Sequence, residues 1–154
     1  MTDSLQSNET IRTGLDVITH RAFREHGRFV KAAGLTIPQF GILIQLYYQQ
    51  QCGMSDISSR MDISGAAASQ LVDKLFQAGL LERSEDPADR RVKQLRLTEK
   101  GRKLVEAGMA ERHSWVDALV ARLEPAEREK VAEAMNILTG AIQQVIEQDK
   151  SVME

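Results

Sequence analysis

Apolar residues recur at three- and four-residue spacing along most of this chain, which is the signature of helices with one buried face. Between Asn8 and Ala33, Ile11, Leu15, Ile18, Ala22, Phe29 and Ala33 form one stripe, with Arg12, Arg21, Arg24, Glu25 and Arg28 mostly off it. Residues 1–7 read as a frayed polar tail, and Gly34 ends the first helix. Thr36 is a good cap for the next, and Pro38 sits in its first turn, where a missing N–H costs little. Phe40, Leu43, Ile44, Leu46 and Tyr47 make that helix strongly apolar until about Gln50. Gly53 breaks the chain, and Ser55 is read as the cap of a short helix through Met61 with Ile57 and Met61 inside. Asp62-Ile63 is a tight turn, and Ser64 caps a further helix whose inner face is Ala68, Leu71, Val72 and Leu75. Its opposite face carries Ala66, Ser69, Gln70, Asp73 and Gln77, and Gly79 stops it.

After Gly79 the period changes. Leu80-Leu81 enters one strand, and Val92, Leu95 and Leu97 mark a second, with Arg96 alternating between the two leucines. The charged stretch SEDPADRR lies between them as the turn. Thr98 caps a long helix to about Leu123, with Glu99 against the positive end of its dipole. Glu124-Pro125 interrupts it, and a last helix runs to about Gln148 with Val131, Met135, Leu138, Ile142 and Val145 at heptad-like spacing. Two short helices joined by a tight turn, the second with a polar outer face, and a basic-tipped hairpin after them make a winged helix-turn-helix, in which one helix enters the major groove of DNA and the wing follows the backbone or the minor groove.

Charge sharpens this reading. The chain of 154 residues carries a net charge of −2, yet between Arg90 and Lys103 there are seven cations and the single anion Glu99. A basic stretch on an acidic body suits a protein that meets phosphate on one surface. Ala66 and Ala67 are small enough to let the helix backbone approach a groove, and Ser69 and Gln70 are the expected base readers. Glutamine pairs with adenine N6/N7, and serine with either kind of edge. Ser64 and Lys74 are phosphate candidates, as are Arg90 and Lys93. Asp73 and Asp89 repel phosphate, so their expected role is to hold the wing, Asp73 through a bridge to a wing arginine.

The same residues resemble the MarR family of bacterial and archaeal transcription regulators. Asp89 and Arg91, then Leu95, Leu97, Thr98 and Gly101, follow that family's D-x-R…L-x-L-T-x-x-G run. Val72-Asp73-Lys74-Leu75 with Gly79-Leu80 resembles its recognition helix and exit, and LTIPQFGIL its second helix. The resemblance implies a mainly α fold with a small β-hairpin wing. It implies an N-terminal dimerisation helix over 1–34, a DNA-binding domain over 35–101 and C-terminal dimerisation helices over 102–154, joined as a homodimer on double-stranded DNA. Arg91 then stands where the family's minor-groove arginine stands, whereas many members carry arginine where Gln70 stands here. Many members are repressors released by aromatic or phenolic acids bound where the dimerisation helices meet the winged core. The corresponding lining candidates here are Phe23, His26, Phe40, Tyr47 and Trp115.

Other chemistries fit poorly. The sequence has no glycine-rich phosphate loop, no H-E-x-x-H and no nucleophile elbow, so no enzyme and no cofactor is expected. His20 and His26 are six apart and His113 is remote, so no metal site is expected. The polar N-terminus and the lack of an apolar run of about 18 residues point to a cytoplasmic protein without a membrane span. The single cysteine, Cys52, reads as an exposed loop residue, and a redox switch there is one alternative. Peroxide-sensing members of the family use a cysteine in the first helix, which this chain lacks. A winged domain that binds protein and not DNA is the other.

Overall fold

The computed structural model describes the backbone of residues 2–85 and 93–152 and the side chains of residues 5–83 and 94–148. Asp89, Arg90 and Arg91 lie outside the described residues, as does the side chain of Lys93. Among the described residues, six helices and a hairpin follow in the order α1 (Thr2–Ala32), α2 (Ile37–Gln49), α3 (Met54–Met61), α4 (Gly65–Gln77), β1 (Leu81–Glu85), β2 (Lys93–Leu97), α5 (Glu99–Val120) and α6 (Pro125–Val152).

Local chemistry sets most of these boundaries. Gly34 takes a φ of 72° and closes α1. At α2 the Thr36 hydroxyl accepts from the Gln39 amide (3.4 Å) while Gln39 Oε1 accepts from the Thr36 amide (2.8 Å), a reciprocal capping box. Two expectations are corrected here. The first helix begins at Thr2, not Asn8, since the polar residues before Asn8 include no helix breaker. Ser55 does not cap α3: the cap is Gly53, whose amide donates to Asp56 Oδ2 at 2.8 Å, so an acid three residues on does the work expected of the serine. The turn between α3 and α4 lacks glycine because Asp62 itself adopts the left-handed conformation, φ 51°.

The contacts fall into two units, Met1–His113 and Ser114–Glu154, divided within α5. In the first, Phe40, Ile42, Leu43 and Leu46 of α2, Ile57 of α3, and Ala68, Val72 and Leu75 of α4 form one buried cluster with Leu80, Leu81, Leu95 and Val105. Val30 from α1 belongs to it too, so both long flanking helices help build the winged core. β1 and β2 pair antiparallel, with Leu81 opposite Leu97 and Arg83 opposite Leu95. Leu95 also pairs on its other edge with Cys52, through Cys52 N to Leu95 O (3.2 Å) and Leu95 N to Cys52 O (2.9 Å). A one-residue strand has no alternation to read, which is why the sequence showed only a loop there.

The second unit contains the end of α5 and α6. Val131, Met135, Ile142 and Val145 of the heptad-like series are 42–56% exposed. No single helix among the described residues is long and apolar enough to cross a membrane.

Candidate nucleic-acid interface

The outer face of α4 is set by its inner one. Ala68, Val72 and Leu75 are fully buried, so the helix must turn Ala66, Gln70, Asp73 and Lys74 outward, and all four are exposed. Ala67 and Ser69 are half-buried at the flank. Ser64 Oγ accepts from the Ala67 amide at 3.2 Å, which caps α4 and leaves the hydroxyl proton to donate outward. Glycine and two alanines at the first turn keep bulk away from the end of the helix where free N–H groups attract an anion.

Asp73 has the partner its position demands. Arg83 Nη2 of β1 donates to Asp73 Oδ1, and the same guanidinium lies 5.3 Å from the centre of the Phe76 ring. Strand alternation puts Arg83 on the same face as Leu81, toward α4, so the arginine reaches the helix while both partners of the pair stay open to solvent. The sequence anticipated a bridge from Asp73 to a wing arginine without identifying Arg83. The signal available was its place two residues beyond Leu81 in a short strand.

The basic run is less of a phosphate surface than its charge suggests. Lys103 pairs with Glu99 at 3.5 Å on the same helix. Arg96 Nε donates to Gln51 Oε1 at 3.0 Å, and Arg102 lies 5.8 Å from the centre of the Tyr47 ring. Lys100 Nζ donates to the Ala78 carbonyl at 2.8 Å. Each of these four cations therefore engages the protein itself, which the count of charges along the sequence could not reveal.

Of the residues expected to line a ligand site, His26 and Phe40 are in ring contact. Phe40 is 2% exposed and belongs to the core, its ring edge-on to His26 (5.4 Å) and to Phe29 (5.6 Å). Gly108 makes this packing possible, since a Cβ there would lie 2.7 Å from Phe40 Cζ. Phe23 is 70% exposed, Tyr47 donates to Glu106 Oε1 at 3.5 Å, and Trp115 belongs to the second unit.

Cys52 is buried, not exposed as expected, because its backbone is stitched to Leu95. Burial pushes its thiol up from 9.0 to about 11, the Asp56 carboxylate adding to the effect and Arg60 opposing it. Such a group has almost no thiolate at neutral pH, which removes the nucleophile a peroxide switch needs. Its folded value lies above the unfolded one, so its contribution to stability is complete below about pH 9 and is lost as pH rises toward 11. In native protein at pH 8, Ellman's reagent should modify Cys52 far more slowly than in guanidinium. Equal rates in both would mean the site opens readily.

Comparison with known proteins agrees with this geometry. The sequence profile of the MarR family matches residues 35–93. The chain is 26% identical over 101 residues to YdgJ, an uncharacterised HTH-type transcriptional regulator of Bacillus subtilis, a match covering 66% of this chain and 62% of that protein. It is 28% identical over 136 residues to the transcriptional repressor MprA of Escherichia coli K12, covering 87% of this chain and 77% of MprA. Among solved structures, a mutant of Staphylococcus aureus MepR bound to an oligodeoxyribonucleotide superposes with a TM-score of 0.75 at 25% identity, over 86% of this chain and 97% of that one.

Proposed function

We propose that this chain, whose residues 35–93 match the MarR family, is a winged helix-turn-helix transcriptional regulator of that family that binds a pseudo-palindromic operator as a homodimer, represses transcription there, and is released by a small aromatic or phenolic ligand. The observation that carries the DNA reading is the outer face of α4. Gln70 and Lys74 stand exposed there, Ser69 is half-buried at the flank, and its one anion, Asp73, is paired with Arg83. Binding of an oligodeoxyribonucleotide by a structural neighbour supports the same use of the fold.

The chemistry follows from residue type. Gln70 offers an amide for the adenine edge, Ser69 a hydroxyl for a neighbouring edge, and Ser64 and Lys74 contact phosphate. Arg91, with Arg90 and Lys93 beside it, supplies the wing contact. Exposed apolar residues support the dimer: Ile11, Leu15 and Ile18 follow one another along α1, and Val116, Leu119 and Val120 close α5. A surface of this kind is costly in water and calls for a symmetric partner. Two recognition helices roughly 34 Å apart would reach successive major grooves on one side of the duplex. Repression is supported by the named activity of MprA. The release step rests on the family resemblance, with His26 and Tyr47 as the partly exposed members of the ligand set.

The deciding experiment is binding to duplex fragments of the protein's own upstream DNA across a salt series, alongside Arg91→Ala. Tight binding that falls steeply with salt and collapses in the variant supports the reading. No binding to any duplex, even weakly and without sequence preference, would leave a winged domain that contacts protein. A finer prediction concerns Asp73. If its bridge to Arg83 sets the wing, Asp73→Asn should weaken specific binding by about two- to fivefold, the scale of an exposed ion pair, although it removes a negative charge. Stronger binding would show that Asp73 only repels.

A further inference from the structure

The L-T-x-x-G end of the motif, Leu97 to Gly101, has no place in the DNA reading so far. Its geometry is specific. Helix α4 ends at Ala78 and Gly79, the latter with φ 69°, and the chain turns into Leu80. The carbonyls of these three residues are all taken by the first turn of α5. Lys100 Nζ donates to Ala78 O (2.8 Å), Thr98 Oγ1 to Gly79 O (2.8 Å) and Thr98 N to Leu80 O (3.1 Å). The Thr98 hydroxyl also accepts from the Gly101 amide at 3.1 Å, so one side chain caps α5 and holds the exit of α4 at once. Gly101 allows the approach: a Cβ there would lie 2.2 Å from Leu80 O.

We infer that Thr98 and Lys100 are positioning residues of the recognition helix, clasping its C-terminal end to the first turn of α5, and that Lys100 is not a phosphate contact. This rests on the DNA-binding reading above. A cation at a helix C-terminus meets the negative end of the dipole and satisfies a carbonyl that has no partner in its own helix. The 13 residues of α4 span about 20 Å, so the clasp holds the end of the helix opposite Ser64 and the small residues of the first turn. With that end fixed to α5, the direction in which α4 presents Gln70 follows α5. If the clasp opens, the helix loses that reference and base contacts weaken without loss of any phosphate contact.

Salt separates the two roles of Lys100. A phosphate contact contributes about 0.9 to the slope of log affinity against log salt; a positioning residue contributes nothing to it. The test uses the full chain, Lys100→Met, Thr98→Val and the conservative Thr98→Ser, on an upstream duplex that the wild type binds. Lys100→Met should lose affinity by about tenfold, the worth of one hydrogen bond involving a charge, and Thr98→Val by about as much through two neutral hydrogen bonds, both at unchanged salt slope, whereas Thr98→Ser should bind as the wild type does. Exchange of the Thr98 amide hydrogen, which is bonded to Leu80 O, should accelerate in both disabling variants. A slope reduced by about one unit in Lys100→Met would make it a phosphate contact and overturn the inference. Unchanged affinity with unchanged exchange would overturn it equally. Should Thr98→Val fail to fold, Lys100→Met decides alone. If the wild type binds no duplex, the DNA reading fails by itself, and the exchange rates still decide whether the clasp exists.

Discussion

Gly101→Ala is expected to lower the melting temperature by about 2–12 °C. The methyl group would sit 2.2 Å from the Leu80 carbonyl oxygen, 3.1 Å from its carbon and 3.2 Å from Leu97 Cδ2. The first two are backbone atoms, so no side-chain rotation relieves the clash; α5 must move away from the turn after α4. Overpacking of this kind costs about 1–3 kcal/mol, and each kcal/mol shifts the midpoint by about 2–4 °C in a chain of this size. Gly41→Ala in α2 is the matched control, because nothing lies within 4 Å of a Cβ there. That change should be neutral or stabilising by about 0.5–1 kcal/mol, as alanine for glycine is in a helix interior. Melting curves at one protein concentration compare the two, since a dimer's midpoint depends on concentration. Equal midpoints for Gly101→Ala and Gly41→Ala would show that the turn yields at no cost.

The largest expected effect on binding comes from Gln70→Ala. Gln70 is exposed on α4 between the buried Ala68 and Val72, and it is the longest uncharged polar side chain in the first half of that helix. Losing a bidentate base contact costs about 1–3 kcal/mol, and the proposed homodimer on a palindrome would lose it twice, so affinity should fall by a factor of about 30 to about 20,000. Because no charge changes, the salt slope should stay as it was. Discrimination should relax at one symmetry-related base pair of each half-site and nowhere else. Titration of a set of single-base operator variants measures this directly. A uniform loss across all variants would assign Gln70 to the backbone and leave Ser69 as the reader.

The two substitutions probe different layers of one design. Gly101 lies in the core-side seam between recognition helix, hairpin and α5, and Gln70 on the surface that the seam holds outward. A charge count cannot separate these layers. Lys100 and Lys74 look alike along the chain, yet Lys100 caps a helix end while Lys74 extends from the outer face of α4.

Much of this protein is legible without coordinates. Apolar spacing located the helices, because a helix can bury a stripe only if its residues recur at the helical period. Thr36, Ser64 and Thr98 marked helix starts, as each hydroxyl accepts a backbone N–H of the first turn. The inner apolar residues of α4 were enough to say which face is turned outward. These are local properties, decided within one or two turns of chain. What the tertiary structure alone decided was the partner of each polar group. Arg83 reaches Asp73 across 10 positions and Lys100 reaches Ala78 across 22. Cys52 is buried because Leu95, far along the chain, needs an edge to pair with. Hydrogen bonds and ion pairs act over about 3 Å, so their partners are settled by which segments packing brings together, and no spacing along the sequence records that.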